Sequence, residues 1–212
     1  MSQIQPSKLL EGWVYWIFQQ PWGSDIGNDS RGAITKQLNA GSDIWYLSGT
    51  WGDAGPTPGK VIRKIDIRKG TSLFIVLASS HATPQELTKQ NADDDDLLQH
   101  AKAVHKLWDK TELRIDGKLE STQKIDTPVL TPFISDGSYY AGLAKSGVVR
   151  MATVAEVSLL DYDRLSQQAQ QNQQGQQLTI TLDAHSRGRD QALAEPNEPE
   201  YREDVTYEIT VQ

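Results

Sequence analysis

The chain contains no cysteine. Disulfides, thiolate catalysis and cysteine-ligated zinc or iron–sulfur sites are therefore excluded. Apolar side chains are also scarce, at 37% of 212 residues, and the mean hydropathy is -0.54. No apolar run approaches the roughly 20 residues of a membrane span; the longest, Leu73 to Ala78, has the length of a strand. Positive charge is in deficit, with 21 Lys and Arg against 28 Asp and Glu. Nucleic-acid binding rests largely on Lys and Arg neutralising phosphates. The densest basic stretch is Arg63-Lys64 with Arg68-Lys69, and strand alternation spreads these over both faces. Neither nucleic acid nor an anionic membrane surface is expected as a partner. The opening Met1-Ser-Gln-Ile-Gln-Pro6 has no basic segment followed by an apolar one, so it does not read as a signal peptide. The expected compartment is cytoplasmic, with a secreted form that has lost its leader as the alternative.

What is present is mostly strand-like. Pro6 to Gln20 is the first exception. Proline suits a first helical turn, and Leu9, Trp13, Trp16, Ile17 and Gln20 follow helical spacing up to Pro21. Ile44 to Leu47 is β-branched and aromatic, Val61 to Ile67 alternates, and Lys69-Gly70 is a turn. Leu73 to Ala78 is apolar on both faces, which predicts a central strand. Thr83-Pro84-Gln85-Glu86 starts a turn or short helix. Asp93 to Asp96 then caps a second helix, whose apolar positions are Leu97, Leu98, Ala101, Val104, His105 and Trp108.

Glu112 to Glu120 is a hairpin around Asp116-Gly117. A two-residue loop would put Leu119 opposite in face to Ile115. A three-residue loop, with Gly117 as a left-handed bulge, pairs Ile115 with Leu119 and keeps apolar residues together, so it is the predicted form. Thr127 to Ile134, with two prolines, reads as an irregular or edge strand, and Val148 to Leu160 as one long strand or two short ones. The glutamine pairs at 167, 170, 173 and 176 mark Asp163 to Gln177 as an exposed loop, with a frayed helical turn as the alternative. Leu178 to Ala184 and Val205 to Val211 alternate as half-buried strands and should pair with each other. The predicted fold is a single domain over residues 1–212. It is mainly β, an antiparallel, jelly-roll-like β-sandwich of seven to ten strands with one N-terminal and one mid-chain helix.

Several of these segments, taken in order, resemble a group of uncharacterised bacterial proteins. The matching pieces are the Trp13–Trp16 helix, Asp29-Ser-Arg-Gly32, Ile44-Trp-Tyr-Leu-Ser-Gly-Thr50, Ile67-Arg-Lys-Gly-Thr-Ser-Leu-Phe74, Asp116-Gly117 and Val205-Thr-Tyr207. The group's pattern has a Val-Pro where this chain has Ile67-Arg68, and a Phe-Pro where it has Ile75-Val76. The resemblance implies one all-β domain and no particular activity.

Five of the six tryptophans lie in the first quarter of the chain. Buried in a helix-on-sheet core, they would need no function. Trp22 and Trp51 stand in Gly-rich segments, where an indole can be presented as a platform for a sugar ring. Asp25, Asn28 and Asp53 would supply hydrogen bonds beside them, and His81 joins this candidate site. Consecutive aspartates at 93–96 point in different directions and lack the spaced pattern of a calcium loop, so they are read as a helix cap and no metal site is expected. His100 and His105 are not at zinc-helix spacing. His81 or His185, with Glu86 or Asp183, could serve as a general base, but ordinary surface or rim histidines are the preferred reading of both. No Gly-x-Ser-x-Gly elbow, phosphate loop or dinucleotide fingerprint is present, and no cofactor is expected. Three functions follow in order of preference: a non-catalytic binder of a small molecule or glycan, a hydrolase with carboxylate or histidine in an end cleft, and a self-assembling subunit.

Overall fold

The computed structural model describes residues 5–19, 43–48, 61–87, 91–134, 147–171, 177–186 and 201–211. Among them are eleven strands and three helices, so the chain is mainly β, with one helix more than the sequence predicts. In order these are α1 (Pro6–Phe18), β1 (Ile44–Ser48), β2 (Val61–Ile67), β3 (Ser72–Ala82), α2 (Asp94–His105), β4 (Trp108–Ile115), β5 (Lys118–Leu119) and β6 (Gln123–Asp126). They continue with β7 (Phe133–Ile134), β8 (Gly147–Val148), β9 (Ala152–Leu160), α3 (Tyr162–Gln171), β10 (Gln177–Ser186) and β11 (Tyr201–Val211).

The strands form sheets in the orders β1-β3-β9-β6 and β2-β11-β10-β4-β5, with a two-stranded ribbon of β7 and β8. The expected antiparallel-only arrangement is corrected. β1 runs parallel to β3, from Ile44 beside Ser72 to Ser48 beside Val76, and β2 runs parallel to β11, from Val61 beside Val205 to Ile67 beside Val211. Alternation reports which face of a strand is buried but not the direction of its neighbour, and both parallel strands are reached by long connections. β10 and β11 pair antiparallel from Gln177 beside Thr210 to Ser186 beside Tyr201, as predicted.

The chain divides into two compact units. One comprises Asp25–Ala78, Trp108–Gln123 and Val157–Gln212. Its core joins Leu47, Leu73, Ile75 and Leu77 of the first sheet with Ile65, Ile67, Leu113, Ile180, Leu182, Val205, Tyr207 and Ile209 of the second. β2 alternates as predicted, so Arg63 faces inward while Lys64 pairs with Glu208 outside at 3.0 Å. Arg63 is buried beside its parallel neighbour Tyr207. Its guanidinium carbon lies 5.4 Å from the ring centroid, and Nη1 donates to the Tyr207 hydroxyl, so the charge is satisfied without leaving the apolar face.

Two local predictions fail in this unit. The hairpin has a two-residue loop: Ile115 pairs with Lys118, and Arg114 with Leu119. Asp116 and Gly117 both take positive φ, +48° and +78°, the turn whose twist matches the flanking strands. The Asp116 amide donates to Thr179 O at 2.8 Å, and its carboxylate accepts the Thr179 N–H at 2.9 Å. These bonds outweigh burial of Leu119, which is left 63% exposed on a two-residue edge strand. The segment from Asp163 is also not a loop. Tyr162–Gln171 is helix α3, because Leu165 and Ala169, four residues apart, bury one narrow stripe in this core. The glutamines at 167 and 170 stand on its outer side.

The other unit comprises Met1–Ser24, Ser79–Leu107 and Lys124–Glu156. Pro6 occupies the first turn of α1, where a missing N–H costs nothing, and the preceding Gln5 is extended. The helix buries Leu9, Leu10, Trp13, Val14, Trp16, Ile17 and Phe18. α2 begins as predicted: Asp93 Oδ1 accepts the Asp96 N–H at 2.9 Å, and Asp96 Oδ2 accepts the Asp93 N–H at 3.0 Å. It ends at His105, and Trp108 opens β4 instead of extending the helix. Leu97 and Ala101 pack it against Ala82, Ala152 and Val154. Asp93→Ala should cost about 1 kcal/mol in urea denaturation. Asp95→Ala, which removes a carboxylate near the helix start and no cap bond, should cost only a few tenths.

Candidate functional site

Five sequence candidates, Trp22, Asp25, Asn28, Trp51 and Asp53, lie outside the described residues. Trp13 and Trp16, by contrast, are core residues of α1 at 0% and 8% exposure. His81 is half-buried near the end of β3. Its ring stacks on Trp13 at 6.2 Å between centroids and meets Phe18 edge-on at 4.9 Å. Nδ1 lies 2.9 Å from Thr153 Oγ1, and Nε2 lies 3.3 Å from Ser79 Oγ. Both ring nitrogens thus have hydroxyl neighbours, and two aromatic rings fix the plane. The carboxylates considered as its partners have other bonds: Glu86 accepts the Thr83 N–H at 2.8 Å, and Asp183 pairs with Lys110.

A pocket the sequence does not announce lies within the unit that contains α1 and α2. Its volume is about 500 Å³, in the range of ligand sites. α2 supplies Gln99, Lys102 and His105, three residues apart on one side of the helix, and Lys106 caps its C-terminal end. β6 supplies Lys124, Ile125 and Asp126, α1 supplies Ser7, and β9 supplies Val154. Lys102 Nζ pairs with Asp126 Oδ2 at 2.8 Å. Among the described residues Lys106 and Lys124 have no carboxylate partner. Three lysines and one aspartate therefore line the pocket, on a chain whose net charge is -7.

His105 is the unusual member. It is buried at 2% exposure, in keeping with its place in the apolar series of the helix, and its Nδ1 is sealed from solvent with no hydrogen-bond partner among the described residues. Burial, with the charge of Lys124 as a second cause, pushes its pKa down to about 4. The imidazole is therefore neutral at physiological pH. One sequence signal pointed inward: His105 continues the Leu97–Ala101 stripe at intervals of four. Lys124 carried no such signal, because only the packing of β6 brings it to the C-terminal turn of α2.

Among the described residues no group of three His, Asp or Glu side chains could hold a metal ion. No described helix is long and apolar enough to cross a membrane. The chain matches no protein-family model, no curated protein and no solved structure.

Proposed function

We propose that this protein is a non-catalytic, small-molecule-binding β-sandwich, related to the tryptophan-rich bacterial group it resembles, and that its ligand occupies the pocket lined by α2 and β6. The sandwich reading is supported by the single core that residues of two sheets share. A jelly-roll is not part of the proposal, because β1–β3 and β2–β11 are parallel.

The observation that carries the binding reading is the pocket of about 500 Å³ itself, lined by the buried His105 together with Lys102, Lys106, Lys124 and Asp126. Hydrolysis gains no comparable support. Within the pocket the carboxylate is paired with Lys102, and among the described residues no hydroxyl or carboxylate bonds to His105 Nδ1.

The test is a library of sugars, sugar phosphates, carboxylates and amino acids, followed through backbone amide resonances. Binders should move signals of Gln99 to Lys106 and Lys124 to Asp126 together. A library whose hits all map elsewhere would refute the assignment.

A further inference from the structure

We infer, resting on that reading, that the pocket is built for a compact dianionic group, held by Lys106 and Lys124 and hydrogen-bonded by His105. The charge count is the first support. Lys102 is held by Asp126, which leaves two cations without a carboxylate partner among the described residues, and two positive charges match a phosphate monoester or a dicarboxylate.

The competing explanation is that these lysines merely offset the negative end of the α2 dipole. It accounts for Lys102 and Lys106 but not for Lys124, which stands on β6. It does not account for His105 either, since a neutral imidazole does nothing for a dipole. An anion accounts for all of them. Its oxygens accept from the two ammonium groups and from an imidazole N–H. Gln99 and Ser7 add donors at the rim, while Val154 supplies one apolar wall.

Lys106 and Lys124 are both exposed, so substituting them leaves the core intact. The experiment titrates the whole chain with sulfate, phosphate, succinate and glucose while following the His105 ring protons and the amides of α2 and β6. It is repeated on Lys106→Gln, Lys124→Gln and, as a control on β5, which contributes nothing to the pocket lining, Lys118→Gln. Sulfate, phosphate or succinate should bind at the pocket and move the His105 signals. Each pocket substitution should weaken binding about tenfold, the loss of one charge-assisted hydrogen bond, and Lys118→Gln should leave it unchanged. Tighter binding of phosphate and sulfate than of succinate would identify a phosphoryl group, and the reverse a dicarboxylate; both support the inference. Glucose binding in the pocket without any response to the anions would overturn the anion inference and leave the ligand-binding reading standing. Anion binding indifferent to both pocket lysines would also overturn it. Silence of His105 and its neighbours toward all four probes would remove both.

Discussion

Lowering the pH from 7 to 4 should destabilise the protein by roughly 3 kcal/mol through His105 alone, with about 2 kcal/mol already lost at pH 5. The sign follows from the direction of the shift. In the folded chain the imidazole takes a proton only near pH 4, because burial and the neighbouring Lys124 charge oppose it. In the unfolded chain it does so near the ordinary histidine value of about 6.5. Between these values the unfolded state binds more protons, so stability falls as pH falls and levels off above about pH 7. Urea denaturation at pH 7.5, 5.5 and 4.5 measures the slope. Carboxylates contribute in the same acid range, so the diagnostic is the difference from His105→Leu, which should flatten this limb. An equal acid loss in the variant would show that His105 is not its source. A bound anion would act in the opposite direction, by making the imidazolium easier to form.

Trp13→Ala should cost about 4 kcal/mol. Trp13 is the largest fully buried side chain among the described residues, and its indole stacks on the His81 ring. Removing it leaves a void beneath α1 that the neighbouring Leu10 and Ile17 cannot refill without moving the helix. Tyr15 on the same helix is 38% exposed, so Tyr15→Ala should cost well under 1 kcal/mol. Thermal and urea unfolding of the two variants measure the contrast. Similar losses for both would mean that the buried face of α1 is not where these residues place it.

Features governed by neighbours in sequence were legible before the structure. Pro6 set the start of α1, Asp93 and Asp96 set the start of α2, and the unbroken apolar run Leu73 to Ala78 marked the inner strand β3. Features governed by remote partners were not. The Asp116 turn is decided by its bonds to Thr179, which pattern matching at Ile115 and Leu119 does not register. α3 rests on two inward residues among glutamines, too few for a periodicity. The pocket was illegible for the same reason: Lys106 and Lys124 are brought together by the packing of a helix and a strand, not by spacing. His105 was half legible. Its place on the buried stripe could be read, but the missing hydrogen-bond partner could not.

The position of β11 bears on how the chain is made. β11 lies between β2 and β10, so the second sheet has no centre until Tyr201 to Val211 has been synthesised. β2 ends at Ile67, and its partner begins only at Tyr201. Pairing across such a separation closes slowly. During translation β2 and β10 leave the ribosome with bare edges, the kind of strand that joins a neighbouring nascent chain. A truncation before Tyr201 would make that exposure permanent. Such fragments should therefore accumulate in inclusion bodies, whereas the full chain can close its sheet once the last strand arrives.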